Sequence, residues 1–118
     1  MTKEKKSTNP IPKYLKGKKR YIKFKIITNQ TISEKEINET INETLTTIYG
    51  DYGIAQQKVW LIEWNQKEKI GIIRCSLETI DKTKAGLLFM QEIKGEKVIP
   101  TIIKVSGTIK KLKNEDKK

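Results

Sequence analysis

The residues here whose types and spacing suit them to chemistry are cations. Lys18, Lys19, Arg20 and Lys23 form one cluster, and Lys104, Lys110, Lys111 and Lys113 form a second near the C-terminus. Ammonium and guanidinium groups clustered in this way bind phosphates and release the counterions that surround a polyanion. The net charge is +11 over 118 residues. Residues 1–25 carry ten Lys/Arg against the single acid Glu4, and residues 104–118 carry six Lys against Glu115 and Asp116. The stretch between them holds nine basic and eleven acidic side chains, so the charge sits at the two ends of the chain. A polyanionic partner is one use for such asymmetry, and solubility in a lysine-rich setting is the other.

Other chemistry finds little material. Histidine is absent, so no Ser-His-Asp or Cys-His pair can form and no catalytic residue is assigned. Cys75 is the single cysteine, which excludes an intrachain disulfide and leaves no zinc-ligand pattern. It shares strand parity with Ile73 and Leu77 and reads as a buried, inert thiol. Asp51, Glu63 and Glu78 are scattered among lysines; they could support two-metal phosphodiester cleavage only if folding gathered them. Neither a Walker A sequence nor a G-x-G-x-x-G fingerprint occurs. No apolar run reaches a membrane-spanning length and the basic N-terminus lacks an apolar core, so the expectation is a cytoplasmic chain without a membrane partner.

The elements that must position the cations follow from periodicity. Residues 1–19, with Pro10, Pro12 and Gly17 and no apolar pattern, read as a flexible basic arm; 20–109 as a single domain; and 110–118 as a basic tail. Arg20 to Thr28 alternates as a strand, with Ile22, Phe24 and Ile26 toward a core. Ser33 to Tyr49 reads as a helix with a Ser33/Glu36 capping box and an apolar stripe of Ile37, Ile41, Leu45 and Ile48, ended by Gly50. Asp51 to Gly53 reads as loop. Lys58–Trp64 and Ile70–Leu77 make a hairpin around a polar turn. A second helix runs from Thr79 or Asp81 to about Glu92, with Ile80, Leu87, Leu88 and Met90 inward. Lys97 to Val105 is the last strand, placed at an edge by Pro100. The order is β-α-β-β-α-β. It predicts an α+β ferredoxin-like, RNA-recognition-like sandwich: a four-stranded antiparallel sheet with two helices on one face.

The opposite face of that sheet is the second candidate surface. Trp60, Ile62 and Trp64 share one parity and are assigned to a protein interface; refolding of either tail over the face is the alternative. A sheet that reads bases by stacking gains little support, since Gly71 to Leu77 offers no aromatic residue. Arg74 can meet a phosphate or pair with Glu63.

Four segments resemble a known family. Lys18-Lys19-Arg20-Tyr21-Ile22, Tyr49-Gly50-Asp51-Tyr52-Gly53, Gly71-Ile72-Ile73-Arg74-Cys75 and Val105-Ser106-Gly107-Thr108-Ile109-Lys110 are similar, in order and spacing, to protein component 2 of archaeal and eukaryotic ribonuclease P. The match spans about residues 10–113, and departures from the family pattern are confined to the tails, the Lys-rich N-terminal arm among them. The resemblance implies an accessory subunit of an endoribonuclease that removes the 5′ leader from precursor tRNA. It implies that the catalytic RNA performs the hydrolysis with magnesium bound to the RNA, while the protein binds no cofactor and carries no catalytic residue. The implied partners are that RNA, protein component 3, further protein subunits, and precursor tRNA through the complex.

Lys18, Lys19, Arg20, Lys23, Arg74, Lys104, Lys110, Lys111 and Lys113 are therefore the expected RNA-binding residues. The first and fourth strands should lie antiparallel and merge the two clusters into one patch. The competing classes are a stand-alone metal-dependent nuclease and a scaffold that never touches RNA.

Overall fold

Alternation does the first work of folding. In a computed structural model describing the backbone of residues 18–116 and the side chains of 18–112, strand β1 (Lys19–Ile27) buries Ile22, Phe24 and Ile26 almost completely. These residues meet Ile37, Ile41 and Leu45 of helix α1 (Glu34–Gln57) and Leu87 of helix α2 (Ile80–Leu88). Strands β2 (Trp60–Asn65) and β3 (Ile70–Ser76) form the expected hairpin. A short hairpin, β4 (Glu92–Ile93) and β5 (Glu96–Lys97), precedes β6 (Ile99–Ser106). The sheet order is β2-β3-β1-β6, all pairs antiparallel, which is the ferredoxin-like arrangement with β6 at an edge. Pro100 lies on β6 opposite Ile26, where a missing amide is tolerated.

The start of α1 is locally encoded. The Ser33 amide donates to Glu36 Oε1 at 2.9 Å and the Glu36 amide donates to Ser33 Oγ at 3.2 Å, the reciprocal capping box. Glu36's carboxyl is held below its usual value, chiefly by the Ser33 amide and further by Lys94, whose Nζ lies 3.3 Å away. The far end of α1 differs from expectation. Gly50 breaks the helix with φ 77°, but the chain re-enters helical geometry and continues to Gln57. The second segment is held by tertiary contacts: Ile54 packs against the core, and buried Gln57 accepts a 2.9 Å bond from Thr83 on α2. The region read as a loop is therefore mostly helix, ended by Lys58 in a left-handed conformation. Helix α2 stops earlier than expected, at Leu88, and leaves Leu88 and Phe89 exposed; its buried residues are Thr83, Gly86 and Leu87.

The larger departure is at the C-terminus. Residues read as a basic tail form helix α3 (Ile109–Asp116), which folds back against the sheet. Leu112 is wholly buried, away from the cluster beneath α1 and α2. Its carbonyl accepts a 3.5 Å bond from Nζ of Lys23, which projects from the side of β1 opposite Ile22 and Phe24. Two apolar residues, Ile109 and Leu112, among Lys, Asn and acids are too few to leave a periodic signal in a two-turn helix. The N-terminal arm lies outside the described residues, except for Lys18 and Lys19.

Leu112→Ala is expected to lower stability by about 2–4 kcal/mol, the usual cost of emptying a buried leucine site. Ser33→Ala should cost about 1 kcal/mol through loss of the cap. Urea unfolding reads both. An unmoved midpoint in the Leu112 variant would mean that α3 does not dock.

Candidate nucleic-acid interface

The pairing of β1 with β6 decides where the cations go. Tyr21 lies opposite Ser106, so the start of β1 and the end of β6 share one end of the sheet. Lys18 is exposed there, and Lys19 and Arg20 are half-buried. The Arg20 guanidinium donates to the Lys19 carbonyl at 2.9 Å and lies against Gly107; a β-carbon on Gly107 would sit 3.5 Å from its Nη1. The chain then turns into α3. The Thr108 amide donates to Ser106 Oγ at 3.2 Å, and the Lys111 amide donates to Thr108 Oγ1 at 3.4 Å. Lys110 and Lys111 are exposed in the first turn of α3, which contains no acid. Lys18, Lys19, Arg20, Lys110 and Lys111 thus come together at one end of the molecule.

The remaining expected cations separate from this group. Lys23 sits opposite Lys104 across the β1–β6 pair. It is only 3% exposed, and its ammonium reaches the carbonyl of α3. Its assignment as a phosphate ligand is corrected: the docking of α3 turns it into a tie between sheet and helix. Lys104 is half-buried beside it. The side chain of Lys113 lies outside the described residues. Arg74 stands on β3 between Trp60 of β2 and Tyr21 of β1, while Glu63 lies opposite Ile72. Its Nε is buried and has no hydrogen-bond acceptor among the described residues.

The shared face of Trp60, Ile62 and Trp64 is also corrected. Trp60 pairs with Arg74, Leu61 with Ile73, Glu63 with Ile72 and Trp64 with Gly71. Ile62 is the extra residue of a β-bulge, and one extra residue reverses the facing of everything beyond it. Trp64 therefore lies on the helix side. It stacks on Phe24 with ring centroids 6.1 Å apart, and its Nε1 donates to the Ile32 carbonyl at 2.8 Å. Gly71 makes room for both rings; a β-carbon there would lie 2.7 Å from Phe24 and 2.9 Å from Trp64. Trp60 stays on the opposite face and is 63% exposed.

A second apolar surface was missed in the sequence. Ile27, Ile48, Leu88, Phe89 and Ile99 are exposed around a groove of about 1020 Å³ between α1, the end of α2 and the β6 edge. The adjacent Leu88-Phe89 pair is its sequence signal, and the end of α2 at Leu88, short of the expected Glu92, is what leaves the pair exposed.

Among the described residues, reactive groups do not assemble. Cys75 is fully buried, and burial pushes its thiol above the usual value. Among the described residues, no three of Cys, Asp and Glu come close enough to hold a metal ion, and no described helix is long and apolar enough to cross a membrane.

A ferredoxin-like sandwich with a cationic end defines the class: a small α+β domain whose charge at that end suits a polyanionic partner. The model of the Rpp14/Pop5 family matches residues 20–116, and the chain belongs to that family. It is similar to ribonuclease P protein component 2 of Pyrococcus furiosus, with 37% identity over 105 residues covering 89% of this chain and 88% of that one. The corresponding protein of Methanocaldococcus jannaschii is 35% identical over 103 residues, covering 87% of this chain and 75% of that one. A chain of the yeast ribonuclease MRP structure shares the fold, with a TM-score of 0.63 and 16% identity over 85% of this chain and 92% of that one.

The Cys75 thiol should resist alkylation in the folded protein and react only as unfolding exposes it, because a raised pKa leaves little thiolate. The check is a thiol-reagent time course with and without denaturant. Rapid modification under native conditions would contradict the burial described.

Proposed function

We propose that this chain is an accessory subunit of ribonuclease P that binds the catalytic RNA and supports removal of the 5′ leader from precursor tRNA. Membership of the Rpp14/Pop5 family and the similarity to archaeal component 2 proteins support this reading. The observation that carries it is the gathering of Lys18, Lys19, Arg20, Lys110 and Lys111 by the β1–β6 pairing. Cations in the first turn of a helix oppose its dipole. Two lysines there carry a cost that a bound phosphate would remove.

On this reading the protein contributes positioning and charge neutralisation. Phosphodiester hydrolysis belongs to the RNA and the magnesium that the RNA holds. The chain works in the cytoplasm, within a complex that includes other protein subunits. Protein component 3 is the expected direct partner, and the apolar rim of Ile27, Leu88, Phe89 and Ile99 suits a protein contact better than the inward-facing Trp64 does.

Reconstitution tests the proposal. The chain, with and without component 3, is added to the catalytic RNA with magnesium, and precursor-tRNA cleavage is measured. Stimulation by wild type is expected, with no cleavage by protein alone. Charge reversal at Lys19, Arg20, Lys110 and Lys111 should weaken RNA binding and reduce the salt slope by about one for each phosphate no longer bound. Lys23→Gln should lower stability while leaving that slope close to wild type. An unchanged slope in the charge-reversed protein would sink the patch.

A further inference from the structure

We infer that Trp60, Arg74 and Tyr21 form a platform for an unpaired nucleobase, so that the chain grips a single-stranded segment of its RNA as well as a phosphate track. The inference rests on the RNA-binding reading above and adds a site to it.

The strand register supplies the geometry. Trp60 of β2 lies opposite Arg74 of β3, Arg74 opposite Tyr21 of β1, and Tyr21 opposite Ser106 of β6. Residues paired directly across strands share a face, so one row crosses the whole sheet with a guanidinium between two aromatic residues. The row lies on the face away from α1 and α2: Val59 and Leu61, either side of Trp60, pack toward the core, which turns Trp60 outward. The bulge at Ile62 makes this possible, because it spares Trp60 while sending Trp64 inward. Helix α3 anchors elsewhere on this face, at Leu112 and Lys23, two residues along β1 from Tyr21.

Two features of the row lack an intramolecular use among the described residues. Trp60 is 63% exposed, and among the described residues no ring contact engages it. Arg74 Nε is buried and lacks an acceptor among the described residues, although a buried donor without a partner is destabilising. A base stacked on Trp60 would cover the indole and present its unprotonated ring nitrogens, which accept, to the guanidinium of Arg74. Charge selects nucleic acid as the occupant over a protein side chain. Ser106 ends the row, and the chain passes directly from it through Gly107 to Lys110 and Lys111, while Lys19 lies two residues before Tyr21 on the same face. Aromatic stacking beside a cationic track is how single strands are held without sequence readout.

The experiment uses the full chain and two probes of equal phosphate count, an unstructured oligoadenylate and a blunt RNA duplex, followed by tryptophan emission and by anisotropy of labelled RNA. Oligoadenylate should quench the emission of wild type, and the duplex should not. Trp60→Ala should weaken oligoadenylate binding about tenfold, a typical loss for one stacked base, and leave duplex binding unchanged. Arg74→Lys keeps the charge and removes the planar fork, and should also lose single-strand affinity selectively. Equal oligoadenylate affinity in wild type and Trp60→Ala overturns the platform, as does equal quenching by both probes. Failure of wild type to bind either RNA would overturn the RNA-binding reading itself, and the platform with it.

Discussion

The antiparallel pairing of β1 with β6 is the constraint on which everything else rests. These strands are separated by more than seventy residues, yet Tyr21 meets Ser106 and Ile22 meets Val105. Ladder bonds hold them, and burial of Ile22, Phe24 and Ile26 beneath the helices fixes their register, because a one-residue slip would carry these side chains to the other face. The same register brings two distant cationic segments to one end of the molecule. The electrostatic surface is thus a by-product of hydrophobic patterning, and it is as rigid as the sheet that displays it.

The second face of the sheet shows how few residues can settle a larger arrangement. Helix α3 is short and polar, and it docks through Leu112 and a hydrogen bond from Lys23 to its backbone. A buried ammonium costs several kcal/mol unless it is compensated. The helix supplies part of that compensation, and the lysine in turn helps to hold the helix. This arrangement aims the first turn of α3, with Lys110 and Lys111, at the same end as Lys18, Lys19 and Arg20. A detached tail would spread the same charges through solvent, where screening acts over about 10 Å.

The bulge at Ile62 divides the aromatic residues between stability and recognition. Trp64 completes the core by stacking on Phe24 over the space left by Gly71 and by bonding to the loop carbonyl of Ile32. Trp60, four residues earlier, is left in water beside Arg74. A single inserted residue thereby gives one tryptophan to the folded state and leaves the other for a partner.

Much of the architecture was legible in the residues themselves. The period-2 run around Ile22 to Ile26, the Ser33/Glu36 box, the stripe of Ile37, Ile41 and Leu45, and Pro100 at the β6 edge are local signals, and the four-stranded sheet that they imply is present. The family segments and the two cationic clusters were legible for the same reason, since they depend on neighbours in sequence. Three features needed the tertiary structure. Helix resumption after Gly50 depends on Gln57 meeting Thr83; α3 depends on Leu112 finding a site on the sheet; and the opposite facing of Trp60 and Trp64 depends on how β2 registers against β3. Each joins residues far apart in the chain, so no window of neighbouring residues contains the information that decides it.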